Sequence, residues 1–241
     1  MGELHNVYAL LQATATVEGL RAVRPNERPF VLSRAGYAGI QRVAATWTGD
    51  VPSTWWGLHG TLAMVLNLGL SGVPFVGSDV GGYSGNASPE LFARWIQLGA
   101  FTPFFRGHVT NGVPGQEPWM FGTETEDISR AVIAQRYALM PYLYALMVEA
   151  SQNGSPPLRP LFYEFPADDR AHAADDVVMF GPSLLVAPVL EENATSRTLW
   201  LPAGDWVEWQ SGRLVHGPVE ATVAVTRAAV LCILLVIAEN T

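Results

Sequence analysis

Thr46-Trp47-Thr48-Gly49-Asp50 follows a short apolar run, Val43-Ala44-Ala45, and precedes a helix-like segment at residues 53–70. A (β/α) barrel places its pocket residues in this way, with an acid at the end of a strand beside a Trp and a flexible Gly. Three more polar side chains hold equivalent positions. Arg34 ends Pro29-Phe30-Val31-Leu32-Ser33, and Asp79 ends Val73-Pro74-Phe75-Val76-Gly77-Ser78. His108 follows Phe101-Thr102-Pro103-Phe104-Phe105-Arg106-Gly107. Four strand ends with four polar side chains describe one rim of an active site.

Working outward, the spacing of Val7, Leu10, Leu11, Val17 and Leu20 predicts an amphipathic helix over residues 5–24. A two-proline loop at 24–29 leads to a short strand at 30–33, a short helix at 38–43 and a strand at 44–48. Ser53 stands where an N-cap belongs, and Leu58, Leu62, Val65 and Leu66 form the buried stripe of the helix that follows. Residues 72–78 lack polar alternation, as a parallel strand covered on both faces does. Ser88-Pro89-Glu90 opens another helix with a cap and an early proline. A strand at 101–105 and a long helix at 124–152, kinked at Pro141, complete this part. Alternating strands and helices predict a parallel α/β arrangement. Four strands before residue 110 are half of the eight a closed barrel needs.

The expected fold is therefore α/β: the second half of a (β/α)8 TIM barrel over residues 1–165. An incomplete small antiparallel β-sandwich domain follows over residues 166–241. Short strands are expected there at 177–182, 184–189, 198–201 and 205–209, separated by Pro, Gly, Asp and Asn.

Composition narrows the function classes. The 241 residues are 49% hydrophobic, enough for a real core. A net charge of −8 argues against a nucleic-acid partner or an anionic membrane surface. The single cysteine, Cys232, excludes a disulfide framework, and the five histidines show no metal-ligand spacing. The apolar run at 228–238 is shorter than the roughly 20 residues of a membrane-spanning helix. With no leader visible at Met1, a soluble, cytoplasmic protein is the default expectation.

Each candidate residue has two readings. Asp50 beside Trp47 is a general acid with a desolvated carboxyl, or an acid at a helix start. Arg34 binds a carboxylate or sugar hydroxyls, or is an exposed loop residue. Asp79 lies among glycines that let backbone approach a ligand, a setting that equally suits turn chemistry. His108 donates to a hydroxyl or carries a proton, or is structural. Trp47, Phe104, Phe105 and Trp119 suit sugar faces or ordinary core, and Trp55 and Trp56 read as core.

Taken in order, these segments resemble glycoside hydrolase family 31, the α-glucosidases and α-xylosidases. The resemblance rests on Phe30-Val31-Leu32-Ser33-Arg34, Trp47-Thr48-Gly49-Asp50, Gly77-Ser78-Asp79-Val80-Gly81-Gly82-Tyr83 and Phe104-Phe105-Arg106-Gly107-His108. It continues through Glu117-Pro118-Trp119-Met120-Phe121-Gly122, Phe180-Gly181-Pro182, Leu184-Leu185-Val186-Ala187-Pro188-Val189 and Leu201-Pro202-Ala203-Gly204-Asp205-Trp206. It implies retaining hydrolysis of terminal α-linked glucosyl or xylosyl residues, using a nucleophile and an acid/base. Asp50 is then the acid/base, Arg34, Asp79 and His108 hold the sugar, and Trp47 walls its subsite. No cofactor or metal is implied.

The family's nucleophile is an Asp upstream of the helix that here begins near His5. The alternative is therefore an inactive fragment lacking the nucleophile, at most a weak sugar-binding remnant. Expected partners are an oligosaccharide or α-glycoside substrate and either the missing barrel half or further copies of the chain. The tail at 225–234 lacks the family's Arg-Ala-Gly turn, which is expected of a truncated or frame-shifted end.

Overall fold

The computed structural model describes residues 2–227 and the backbone of residues 232–237. Part of the apolar tail, residues 228–231 and 238–241, lies outside the described residues, as does Met1. The first helix, α1 (Tyr8–Val23), uses part of its expected stripe. Ala13 and Val17 are buried, but Leu11 and Leu20 are exposed, because α1 packs on little more than a 3₁₀ turn at Ile40–Arg42.

Strand β1 (Thr46–Trp47) is followed by α2 (Trp55–Leu70), β2 (Val76–Val80), α3 (Pro89–Gly99) and β3 (Phe104–Gly107). The strands are parallel and sequential, and Leu32 makes a parallel bridge to Ala45 on the free side of β1. All four expected strand positions thus stand side by side. The first is the weakest, held where Ala45 N donates to Val31 O at 2.9 Å and Ser33 N donates to Ala45 O at 3.0 Å.

Some boundaries move, each for a local reason. Thr54, not Ser53, caps α2: its hydroxyl accepts from Gly57 N at 2.9 Å. Ser53 instead gives its backbone N–H to Ser84 O at 2.7 Å. The strand expected at 101–105 sits later, because residues 101–103 close a turn in which the Thr102 hydroxyl donates to Gly99 O at 2.7 Å. The long helix at 124–152 is two helices, α4 (Thr123–Ala138) and α5 (Met140–Asn153), bent by 54°. Pro141 in the first turn of α5 has no N–H to continue the ladder, and its ring excludes a straight path. No single helix among the described residues is long and apolar enough to cross a membrane.

The antiparallel sheet begins at β4 (Leu158–Pro160), ahead of residue 165. Two short helices, α6 (Leu161–Glu164) and α7 (Asp169–Ala173), precede β5 (Val178–Phe180), β6 (Leu184–Ala187), β7 (Ser196–Glu208), β8 (Leu214–Ala224) and β9 (Cys232–Ile237). The order is β4-β5-β6-β9-β7-β8 in one continuous six-stranded sheet. The expected strands at 198–201 and 205–209 are one strand, β7, with a register shift between Leu201 and Gly204. No strand was expected at β8, whose run is broken by Gly217-Pro218 and never turns a fully buried face inward.

Alternation along β5 and β6 explains how the two parts join. Val178, Phe180, Leu184 and Val186 share a core with α2, α3 and α5. Met179, Leu185 and Ala187 point the other way, into a core with Leu199, Leu201 and Trp206 of β7. The sheet therefore folds over on itself while its first strands pack against the barrel helices.

Arg136 of α4 fixes the approach to β3. Its guanidinium donates to Ala100 O and Thr102 O, each at 2.7 Å, and to Pro103 O at 3.0 Å. It also lies 4.9 Å from the Phe105 ring centroid. Burial lowers its pKa to about 10, still well above neutral pH, so the group stays charged. Arg136→Ala would orphan three carbonyls. A loss of about 3 kcal/mol is expected. Urea melts check this, and a midpoint equal to the parent's would show that the turn is held by other contacts.

Candidate active site

The register of the parallel strands assembles the site. Trp47 pairs with Gly77, Gly77 with Phe104, and Asp79 with Arg106. Because side chains alternate along a strand, Trp47, Asp79, Phe104 and Arg106 share one face of the sheet. Ser78 points to the opposite face, where it accepts from Trp95 Nε1 of α3 at 3.0 Å. Gly77 has no side chain because a Cβ there would meet Phe104 O at 1.8 Å.

Asp79 is buried, and Arg106 holds it from across the ladder. Arg106 Nε donates to Asp79 Oδ1 at 3.2 Å, and Nη2 makes a shorter contact to the same oxygen. The guanidinium is sandwiched near Trp47 and Phe104, at 5.0 and 5.3 Å from their ring centroids. Burial pushes the Asp79 carboxyl above the usual carboxylate range, against the opposing pull of Arg106 and, more weakly, His108. The charge of Asp50 adds to the upward push. Asp50 and His108 therefore act on the same carboxylate, and the polar groups of the strand ends form one electrostatic unit.

Asp50 and Arg34 form the outer part of the rim. Arg34 Nη2 donates to Asp50 Oδ2 at 3.3 Å, with the side chains 65% and 46% exposed. The burial expected for Asp50 beside Trp47 is absent, because the Gly49 turn carries the acid outward from the end of β1. His108 is also exposed, and its ring lies 5.4 Å from that of Tyr83. Trp56, read as core, is 76% exposed at the start of α2, whereas Trp55 is partly buried against the core.

Backbone bonds stitch the loops of this face together. Tyr83 N donates to Val51 O at 2.7 Å, and Thr110 N donates to Tyr83 O at 2.9 Å. Gly82 has φ +86° and lies against Ser53, where a Cβ would come within 2.6 Å of backbone. Gln116, buried in the loop after β3, donates from Nε2 to Gly82 O at 3.0 Å. Trp47 Nε1, Thr48 Oγ1, Asp79 Oδ2 and Gln116 Oε1 are buried without hydrogen-bond partners. One donor, one hydroxyl and two acceptors, three at strand ends and the fourth in the loop after β3, match the mixed demands of a polyhydroxy ligand. No group of three His, Cys, Asp or Glu side chains among the described residues could hold a metal ion.

Arg106 and Gln116 were not among the residues singled out from sequence. Arg106 had a signal: aligning the ends of the strands at 72–78 and 101–105 places a cation beside Asp79. Gln116 had none, since its role depends on a loop path that periodicity does not describe.

The raised pKa of Asp79 has a consequence for stability. An acid whose pKa rises on folding binds its proton more tightly when folded. Its favourable contribution is present at low pH and lost as pH climbs from the unfolded value, about 3.9, through the folded one. Asp79→Asn has no proton to exchange. Urea midpoints of parent and variant should therefore diverge with pH across that window, the parent gaining relative stability on the acid side. Parallel curves would overturn this.

Comparison with known proteins places this geometry. Residues 1–146 match "Glycosyl hydrolases family 31 TIM-barrel domain", and residues 154–237 match "Glycosyl hydrolase family 31 C-terminal domain". Alpha-glucosidase 2 of Bacillus thermoamyloliquefaciens is 46% identical over 215 residues, which are 89% of this chain and 27% of that protein. Neutral alpha-glucosidase C of Mus musculus is 44% identical over 226 residues, 90% of this chain and 25% of that one. This chain thus spans about a quarter of the length of these relatives. A dextranase of Flavobacterium johnsoniae superposes with a TM-score of 0.91 at 33% identity, over 97% of this chain and 30% of its own. An α-xylosidase from a soil metagenome gives 0.86 at 32%, over 95% and 37%. With both segments matched in order and more than half of its length within the barrel match, the chain belongs to glycoside hydrolase family 31.

Proposed function

We propose that this chain carries the acid/base half of a retaining α-glycosidase site acting on terminal α-linked glucosyl or xylosyl residues. The observation that supports it best is the placement of Asp50. It is a solvent-accessible acid at a strand end, hydrogen-bonded to Arg34 and within the field that reaches Asp79. In this reading Asp50 protonates the departing glycosidic oxygen and then removes a proton from the attacking water. Arg34 orients the acid. Asp79, fixed by Arg106, and His108 bind hydroxyls of the sugar, and Trp47 walls the subsite.

A retaining site needs a second carboxylate ~5–5.5 Å from the first. Asp79 is unsuited to that role, because it is buried and one of its oxygens is held by Arg106. The nucleophile is assigned to a segment outside these 241 residues, and hydrolysis by the isolated chain is not expected. An inactive, weakly sugar-binding chain is the second reading, favoured by the engagement of the neighbouring carboxylate, Asp79, with Arg106. The same dependence makes a complementary barrel segment, or further copies of the chain, the expected macromolecular partner.

The test pairs this chain with a polypeptide supplying the preceding barrel strands and follows α-glucoside hydrolysis. Asp50→Asn should lower kcat/KM for an alkyl α-glucoside by roughly 10²–10⁴-fold. It should lower kcat/KM for an activated nitrophenyl α-glucoside far less, since that leaving group needs little protonation. An equal loss on both substrates would remove Asp50 from the acid role.

A further inference from the structure

The β domain carries a cavity of about 560 Å³ at the junction of the α6–α7 segment with β7 and β8. It lies apart from the strand ends already described. Its walls include Phe165, Asp168, Asp169, Trp200, Ala203 and Pro218. Trp200 is held on two sides. Its Nε1 donates to Asp168 Oδ2 at 2.7 Å, and the Arg170 guanidinium covers one ring face at 4.0 Å from the centroid. Arg170 is in turn paired with Glu220. Trp200 lines the cavity, whereas Arg170, which covers one ring face, does not.

The carboxylates of this cavity are not equivalent. Glu164 is taken by Arg159. Asp168 is occupied by the indole and by the first backbone N–H groups of α7, Arg170 N at 2.9 Å and Ala171 N at 3.4 Å. Asp169 is exposed, and its carboxylate has no hydrogen bond or ion pair among the described residues. A pre-oriented indole, flat proline and phenylalanine surface, one free acceptor and no basic wall residue suit a neutral ring with an apolar face and hydroxyl edges.

We propose that this cavity is a non-catalytic saccharide-binding site, in which a pyranose unit of an oligosaccharide stacks on Trp200 and gives hydroxyl hydrogen bonds to Asp169. The choice of sugar over other neutral rings rests on the glycosidase reading. The site itself does not require catalysis by this chain.

Isothermal titration of the intact 241-residue chain with maltotriose and with isomaltotriose tests it. Trp200→Ala and Asp169→Asn should each weaken binding about tenfold or more. Trp200→Ala also removes the partner of Asp168, so Ala203→Arg serves as an independent variant. It puts a long cationic side chain on the cavity wall while removing none of the indole's partners, and it should abolish binding there. The double variant Arg34→Ala, Asp50→Asn should leave this binding unchanged. Binding lost in that double variant but kept in Trp200→Ala and Ala203→Arg would put the sugar on the strand-end rim and overturn the inference, leaving the glycosidase reading intact. The absence of any binding by the parent chain would overturn it as well. Loss confined to the cavity variants supports it whether or not the chain hydrolyses glycosides.

Discussion

The cross-strand pair between Asp79 and Arg106 is the constraint around which the rim is organised. A parallel register that sets these residues opposite each other also sets Trp47 beside Gly77 and Gly77 beside Phe104. The guanidinium then has an aromatic wall on either side and a carboxylate in front. A slip of one residue would turn Asp79 toward α3 and bring Ser78 inward, removing both the ion pair and the Trp95 hydrogen bond. The polar and apolar faces of β2 therefore fix the same alignment independently. A buried ion pair of this kind is poor evidence of net stability, because desolvation offsets much of its attraction. Its value here is positional.

Around this pair the loops are tied by backbone groups and by one buried side chain, Gln116. Val51, Tyr83 and Thr110 connect three successive strand-end loops, and Gln116 anchors the glycines that follow Asp79. This arrangement leaves the side chains of Asp50, Arg34 and His108 free to face solvent. It also explains why Gly82 cannot carry a side chain, since its neighbour is the backbone of the loop that bears Asp50. Arg136 does comparable work below the rim, gathering three carbonyls of the turn that feeds β3.

Much of this was legible in the residue pattern. The buried stripe of α2, the cap and proline of α3 and the apolar β2 follow from local rules, and all four expected strand positions lie in one parallel set. The strand-end rule brought Arg34, Asp50, Asp79 and His108 to one edge. Other features depended on contacts that no local rule contains. Trp56 looks like core by composition, yet the first turn of α2 points it outward. The merging of two expected strands into β7, and the insertion of β9 between β6 and β7, are set by long-range pairing. The environment of Asp50 is not local either: adjacency to Trp47 in sequence does not bury a side chain that a left-handed Gly49 directs away.

The two-sided strands β5 and β6 bear on modularity. Successive residues there serve different cores, so no plane of solvent separates the barrel segment from the β domain. Two stretches that match separate family domains are thus welded through a shared layer. Neither can be exchanged for a homologous piece unless the donor preserves the even-numbered apolar residues on one side and the odd-numbered ones on the other. Replacements along β5 and β6 should then come in pairs across the weld, and the gap between the two matched stretches does not mark a place where the chain can be cut and exchanged.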